Sequence, residues 1–482
     1  MTAGLVLFIL LSYFAVLILV GYFTARKSNS ETFFTANRNS PWYLVAFGMI
    51  GTQLSGVTFI SIPGEVGNSG WTYLALVIGN CIGYIVIGWV LLPLFYKLNL
   101  VSIYSWLGTR FGDRARLAGS FFFLVSQLIG ASFRLFLVVG VLQLAVFNAI
   151  GVPFAATVFV TICFVWIYTV RGGIKTIIWT DTLQTVFMLL AVVLTIVVIC
   201  QALDFSFTDA VAAIRNSALS RVWDFDWRSG HNTIKQILAG IAITVAINGL
   251  DQNIMQKNLT CRTLKDCKTN MYSFSFLFLI TNILFLSMGA LLYIYASSRN
   301  IVLPEKSDDI FAFLSLNYFG VLAGLVFILG ITAAAYSSVD SSLTSLTTSF
   351  CIDFLKINPK DGEQKRKRVL VHIAFSFLMF LVIVLFRELN SSSVINAVFK
   401  AIGYTYGPIL GLFAFGLLTK YEIKEKYLIW VCLISPLLSY LINCFSEQLL
   451  FGYRFGFEIL LLNGLICFIG LFLIRTSHNA VD

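Results

Sequence analysis

Runs of roughly twenty apolar residues recur along the whole chain, each long enough to cross a hydrocarbon layer about 30 Å thick. That repetition leaves few folds open. Inside such a layer every backbone N–H and C=O must be satisfied by the chain itself, so the runs are helices unless they close into a barrel. None of them alternates apolar and polar residues as barrel strands do. Of 482 residues, 58% are apolar and 12% charged, about half the charged share of an ordinary soluble domain, and no polar stretch is long enough to fold alone. The fold expected is all-α and polytopic, embedded in the lipid bilayer. About thirteen transmembrane helices are read at 3–23, 42–66, 70–96, 117–148, 153–170, 177–200, 232–254, 271–296, 320–353, 369–387, 394–419, 427–443 and 456–474.

A net charge of +10 invites a nucleic-acid partner, but its placement argues for none. With the N-terminus outside, the cytoplasmic loops and tail hold 23 of the 33 Lys and Arg and the external side seven, counting Arg387 at the outer end of its span, leaving Arg134, Lys235 and Lys400 within spans. This is the positive-inside bias, so the charge sets topology. It places the chain in the plasma (inner) membrane with its C-terminus cytoplasmic. The run Lys365–Arg368 is read as a solvated cytoplasmic loop able to meet anionic headgroups. Nine cysteines show no metal-ligand spacing, and Cys261 with Cys267 falls in a loop where a disulfide is not expected. The first span lacks a basic leader and a small-residue cleavage site, so it reads as a retained helix.

Polarity inside the apolar runs is concentrated in three places. The stretch Ile331–Ser349 holds ten Ser or Thr and one acid, Asp340. On a helix Ser337, Ser341, Thr344, Ser345 and Thr348 stack on one face. Small residues of this kind serve close helix packing, but an ionisable group within a membrane marks function, and the face is read as a cation site. The span from Trp42 carries Gly48, Gly51 and Gly56 ahead of Pro63–Gly64, with Gln53, Ser55 and Thr58 between, and reads as a broken helix lining a cavity. The seventh span breaks at Asn248–Gly249, followed by Asp251 and Gln252.

These breaks fall in a pattern. Spans two to six and seven to eleven form two sets of five, each with a broken first member and an unusually long third. Five is odd, so the sets enter the membrane from opposite sides, as in inverted-repeat transporters that bind at the midplane between broken helices. The expected organisation is an accessory helix at 1–26, a first repeat at 42–200, a second at 232–419 and two accessory helices at 427–475.

Four segments resemble the sodium:solute symporter family: GTQLSGVTFISIP, LPLFYKLNLVSIYSWLGTRFGDRARL, YTVRGGIKTIIWTDTLQ and AAAYSSVDSSLTSLTTSFCIDF. The resemblance covers essentially the whole chain. It implies a sodium-coupled symporter that moves a small polar organic solute by alternating access, with broken first and sixth core helices. It implies a first sodium ion held by the carbonyls of Gly51, Leu54 and Ala334 and the hydroxyls of Ser337 and Ser338. Gly51 supplies the same backbone oxygen as the alanine often found there. A second sodium site, present in some members, maps to Asp181, Ser337 and Ser341, with Gln184 one turn on. Asp340 stands where a hydroxyl is usual. Two neighbouring carboxylates repel unless a cation or proton intervenes, so Asp340 meets either sodium or a proton. The plainer reading of Asp181 is a helix-end carboxylate near Arg171 and Lys175.

Substrate contacts implied by the resemblance are Gln53, Ser55, Thr58, Tyr73 and Arg134. The motif GTQLSGVTF is most similar to the sialic-acid branch, which uses an arginine on the helix that carries Arg134 to hold a carboxylate. Two departures weaken that match: Arg134 lies one helical turn late, and the branch's second-helix glutamine is Val77. Arg134 either binds a carboxylate-bearing solute such as a sialic acid or pairs structurally with Asp340 or Glu65. A neutral sugar, a monocarboxylate or an inorganic anion are the alternative solutes, and a transport-like sensor or a passive channel the alternative functions. No HExxH, GxSxG or phosphate-binding loop is present, and His231, His372 and His478 lie at span ends or in the tail, so no enzyme activity is expected. One chain is expected to transport as a monomer.

Overall fold

The computed structural model describes residues 3–26, 29–143, 147–226, 229, 231–358, 364–389, 394–449, 455 and 459–476. They are nearly all helical. The first half comprises α1 (Ala3–Ala25), α2 (Ser30–Thr35), α3 (Trp42–Gln53), α4 (Gly56–Ser69), α5 (Tyr73–Lys97), α6 (Ser105–Phe111), α7 (Asp113–Leu142), α8 (Phe154–Gly172), α9 (Ile174–Ala202) and α10 (Phe207–Asn216). The second comprises α11 (Thr233–Ile243), α12 (Gln252–Asn258), α13 (Leu264–Ser298), α14 (Ile310–Asn317), α15 (Gly320–Ser349), α16 (Lys365–Leu389), α17 (Val394–Leu418), α18 (Glu425–Cys444), α19 (Ser446–Leu449) and α20 (Ile459–Leu473). Among the described residues nine helices are long and apolar enough to cross a membrane, two further spans are bent pairs, and two shorter apolar helices cover Phe154–Val170 and Ile459–Leu473. Among the described residues these segments fall on the thirteen spans read from the sequence.

Both expected breaks are present. α3 and α4 are bent by 61° at their junction, where Leu54 (ψ 74°) and Ser55 (ψ 169°) leave helical geometry. The carbonyls of Gly51 and Leu54 there accept no backbone N–H among the described residues. Pro63 does not make this break, because it sits inside α4. The chain breaks earlier, where Gly51 lets three helices converge: a Cβ on it would lie 2.7 Å from Thr185 Oγ1 and 3.1 Å from Ser337 Oγ. The second break starts as one π-turn over Thr244–Asn248, a form common at functional sites. It ends at Asp251, which N-caps α12 with Oδ1 accepting from the N–H of Asn253 (2.7 Å) and Ile254 (3.2 Å). The bend there is 78°, and such a cap contributes about 1 kcal/mol.

α15 is the axis of the molecule. Every residue from Gly330 to Ser349 is buried, because α15 packs on α9, α7, α16 and α4, and its Ala and Ser side chains allow that approach. One side of its hydroxyl face packs against α7, with Ser349 Oγ 2.7 Å from Ser120 Oγ and Ser342 Oγ accepting from Gln127 at 2.9 Å. The other side turns toward α3 and α9. α5 crosses α11 so closely that a Cβ on Gly79 would come within 2.2 Å of the Ile237 carbonyl. Outside this core, α1 leans on α8 and α9, and α20 on α17 and α18.

Candidate functional site

The break at Leu54–Ser55 opens into a cavity of about 640 Å³, within the range of small-molecule sites. All five residues expected to touch solute, Gln53, Ser55, Thr58, Tyr73 and Arg134, line it. It runs from Thr52 and Asp251 at the two breaks to His231, Ser307 and Asp308 in the loops at one end of the helices. At that mouth burial pushes the Asp308 carboxyl above its usual range, against a hydrogen bond from Ser61. At the other end side-chain hydrogen bonds tie the elements together. Asp353 accepts from Ser102 (2.6 Å) and Ser349 (3.0 Å), while Gln252 donates to the Val101 carbonyl (2.7 Å) and accepts from the Ile103 N–H (2.9 Å).

Arg134 is held by its Nε–H, which donates to the Gly130 carbonyl at 3.0 Å. Neither expected structural partner meets it. Asp340 turns to α8, where Tyr168 donates to its Oδ2 at 2.9 Å, and Glu65 accepts from Asn68 at 3.3 Å. Among the described residues no carboxylate forms an ion pair with Arg134, and the nearest acidic influence on it is Asp251. That acid is committed as the α12 cap and accepts from the Tyr406 hydroxyl. Val77 is buried away from the cavity, and Asn80, one turn on, lines it instead, accepting from Thr244 Oγ1 at 3.0 Å.

The expected ion ligands lie on α3, its break and α15, and α3 and α15 pack together. Gly51, Leu54, Ala334, Ser337 and Ser338 are all buried, and the Ser338 hydroxyl has no hydrogen-bond partner among the described residues. A buried hydroxyl without a partner is costly, as is a freed carbonyl, so oxygens left in this state suit a cation. Asp181 lies two turns inside α9 rather than at a helix end. Its Oδ1 accepts from Ser337 at 2.6 Å, and its Oδ2 lies within reach of Thr52 at 3.1 Å and Ser341 at 3.5 Å. Ser341 also reaches Asp340 Oδ1 at 3.3 Å, so this hydroxyl joins the two carboxylates.

The cluster has a further member, a buried lysine. Lys257, assigned by charge distribution to the cytoplasmic loop after the seventh span, is instead buried in α12 and forms an ion pair with Asp181 Oδ2. Its ammonium also donates to Thr52 Oγ1. The usable signal was Asp181 itself, since a buried carboxylate calls for a cation. Lys257 also falls on the short polar segment beyond the second break. His372, placed at a span end from the sequence, is likewise buried, between Thr169 (3.1 Å) and Thr347 (2.8 Å).

Residues 33–424 match the family described as the sodium:solute symporter family. The chain belongs to that family. It is 29% identical over 424 residues to the sodium/sialic acid symporter NanT of Aliivibrio fischeri, covering 85% of this chain and 82% of that protein. Over 433 residues it is 29% identical to the sodium/sialic acid symporter SiaT of Proteus mirabilis, covering 86% and 84%. Its fold is shared with a solved substrate-bound, outward-open Na+-coupled sialic acid symporter, with a TM-score of 0.82 over 97% of each chain at 21% identity. The protein is an integral membrane symporter that couples sodium to a small solute, as its family and its membrane-spanning helices establish.

Proposed function

We propose that this symporter carries a small carboxylate-bearing solute of the sialic-acid type from the outside inward, by alternating access, and that Arg134 holds the carboxylate. The observation that carries this reading is a guanidinium in the wall of a solute-sized cavity with no ion-pair partner among the described residues. Arginine's planar fork matches a carboxylate. Two relatives of this length carry sialic acid by name. Gln53, Ser55 and Thr58 supply hydrogen bonds to solute hydroxyls, and Tyr73 forms an aromatic wall. The coupled sodium ion takes the carbonyls of Gly51, Leu54 and Ala334 with the hydroxyls of Ser337 and Ser338, a set of hard oxygens suited to a hard cation.

In this reading 42–200 and 232–419 are the two inverted five-helix repeats, with 1–26 and 427–475 as accessory helices. The N-terminus is outside, the C-terminus is cytoplasmic, and the membrane is the plasma (inner) membrane. The cavity then opens outward and the Ser102–Asp353 contacts close the inner side. One chain carries the full set of residues, so a monomer transports, and no catalysis is required of it.

A thermal-shift screen of purified protein tests the solute class. N-acetylneuraminate with sodium is expected to raise Tm, and galactose, proline and lactate with sodium are not. A shift with galactose alone would move the assignment to neutral sugars. Ser338→Ala removes an ion ligand and leaves a side chain that packs well. It is expected to raise the half-saturating sodium concentration at least tenfold, about 1.4 kcal/mol, with little change in Tm in sodium-free buffer. An unchanged sodium curve would remove α15 from the ion site.

A further inference from the structure

The ammonium of Lys257 meets the carboxylate that the family resemblance assigns to a second sodium ion. It bonds Asp181 Oδ2 and Thr52 Oγ1, and Thr52 Oγ1 is 3.3 Å from Ser337 Oγ. Asp181 Oδ1 accepts from Ser337, and Ser341 Oγ lies 3.5 Å from Asp181 Oδ2. Carboxylate and hydroxyl oxygens at this spacing form a cation cage, and the cage already contains a cation. The Lys257 side chain is about 1% exposed, and Asp181 and Thr52 are buried with it, so water does not screen a second charge brought to the same oxygens.

We infer that Lys257 is a tethered cation that fills the second ion site, so that the symporter couples one sodium ion per solute. This rests on the first sodium site proposed above. Charge balance at the pair agrees with it, since the Lys257 ammonium meets the Asp181 carboxylate one to one. Being on α12, the ammonium also ties the second broken span to α3 through Thr52 and to α9 through Asp181, so the tie has to shift if these elements part.

The test is 22Na+ binding to purified protein, together with sodium-dependent currents in proteoliposomes whose reversal potential reports ions per solute. Wild type is expected to bind one sodium ion, with a Hill coefficient near 1. Lys257→Ala vacates the cage while leaving Asp181 ionised, so a second sodium ion is expected and the Hill coefficient should rise toward 2. The double variant Asp181→Asn/Lys257→Met removes both charges and keeps the space filled. It is expected to bind one sodium ion and serves if the single variant does not fold. Two sodium ions per solute in wild type overturn the inference, as does a single sodium ion in folded Lys257→Ala or a second ion in the double variant. Failure of the first site is seen separately, as unchanged 22Na+ binding in Ser338→Ala.

Discussion

Asp181→Asn is expected to lower stability by about 3–5 kcal/mol, because it strands the Lys257 ammonium in a buried site without an anion. Asp181 and Lys257 are each about 1% exposed at the side chain, so neither solvent nor rotation relieves the loss. Thr52 remains as an acceptor, but a hydroxyl does not replace a carboxylate's charge. The change should appear as a large fall in Tm in detergent, while adding Lys257→Met to Asp181→Asn should restore most of it. Buried ion pairs replaced by apolar residues of similar volume are often neutral in stability. A double variant as unstable as Asp181→Asn would mean that Asp181 is needed for something other than meeting Lys257.

Arg134→Lys is the second large effect. The lysine keeps a charge but loses the fork that engages both oxygens of a carboxylate. Truncating one side of a buried, hydrogen-bonded charge pair costs about 2–5 kcal/mol, and the conservative change belongs at the lower end, about a 30-fold weaker affinity. An amide analogue of the same solute should bind wild type and Arg134→Lys alike. Isothermal titration of both compounds checks this. Equal loss for acid and amide would show that Arg134 shapes the cavity without reading charge.

The breaks were legible in the sequence because glycines and hydroxyls inside an apolar run have few uses. Gly51 and Ser337 are such residues, and a Cβ on Gly51 would lie 3.1 Å from Ser337 Oγ. Lys257 was not legible for a local reason. The segment QNIMQKN is polar and reads as the start of a loop, yet a 78° bend turns it inward as α12. No window of hydropathy carries that bend. Arg134 was legible as a buried charge but its surroundings were not, since Asp340 turns to Tyr168 and Asp251 to Tyr406. Those choices depend on how α7, α8, α12 and α17 are rotated, which spacing along one helix does not determine.

In the proposed mechanism a sodium ion at the α3–α4 break and α15 drives a carboxylate-bearing solute through the cavity beside Arg134. Uptake of radiolabelled N-acetylneuraminate into sealed proteoliposomes, with inward gradients of sodium or potassium, tests it directly. The expected result is accumulation above the external concentration with sodium only, abolished by collapsing the sodium gradient. Equal uptake in potassium, or sodium-driven accumulation of galactose with none of N-acetylneuraminate, would contradict it.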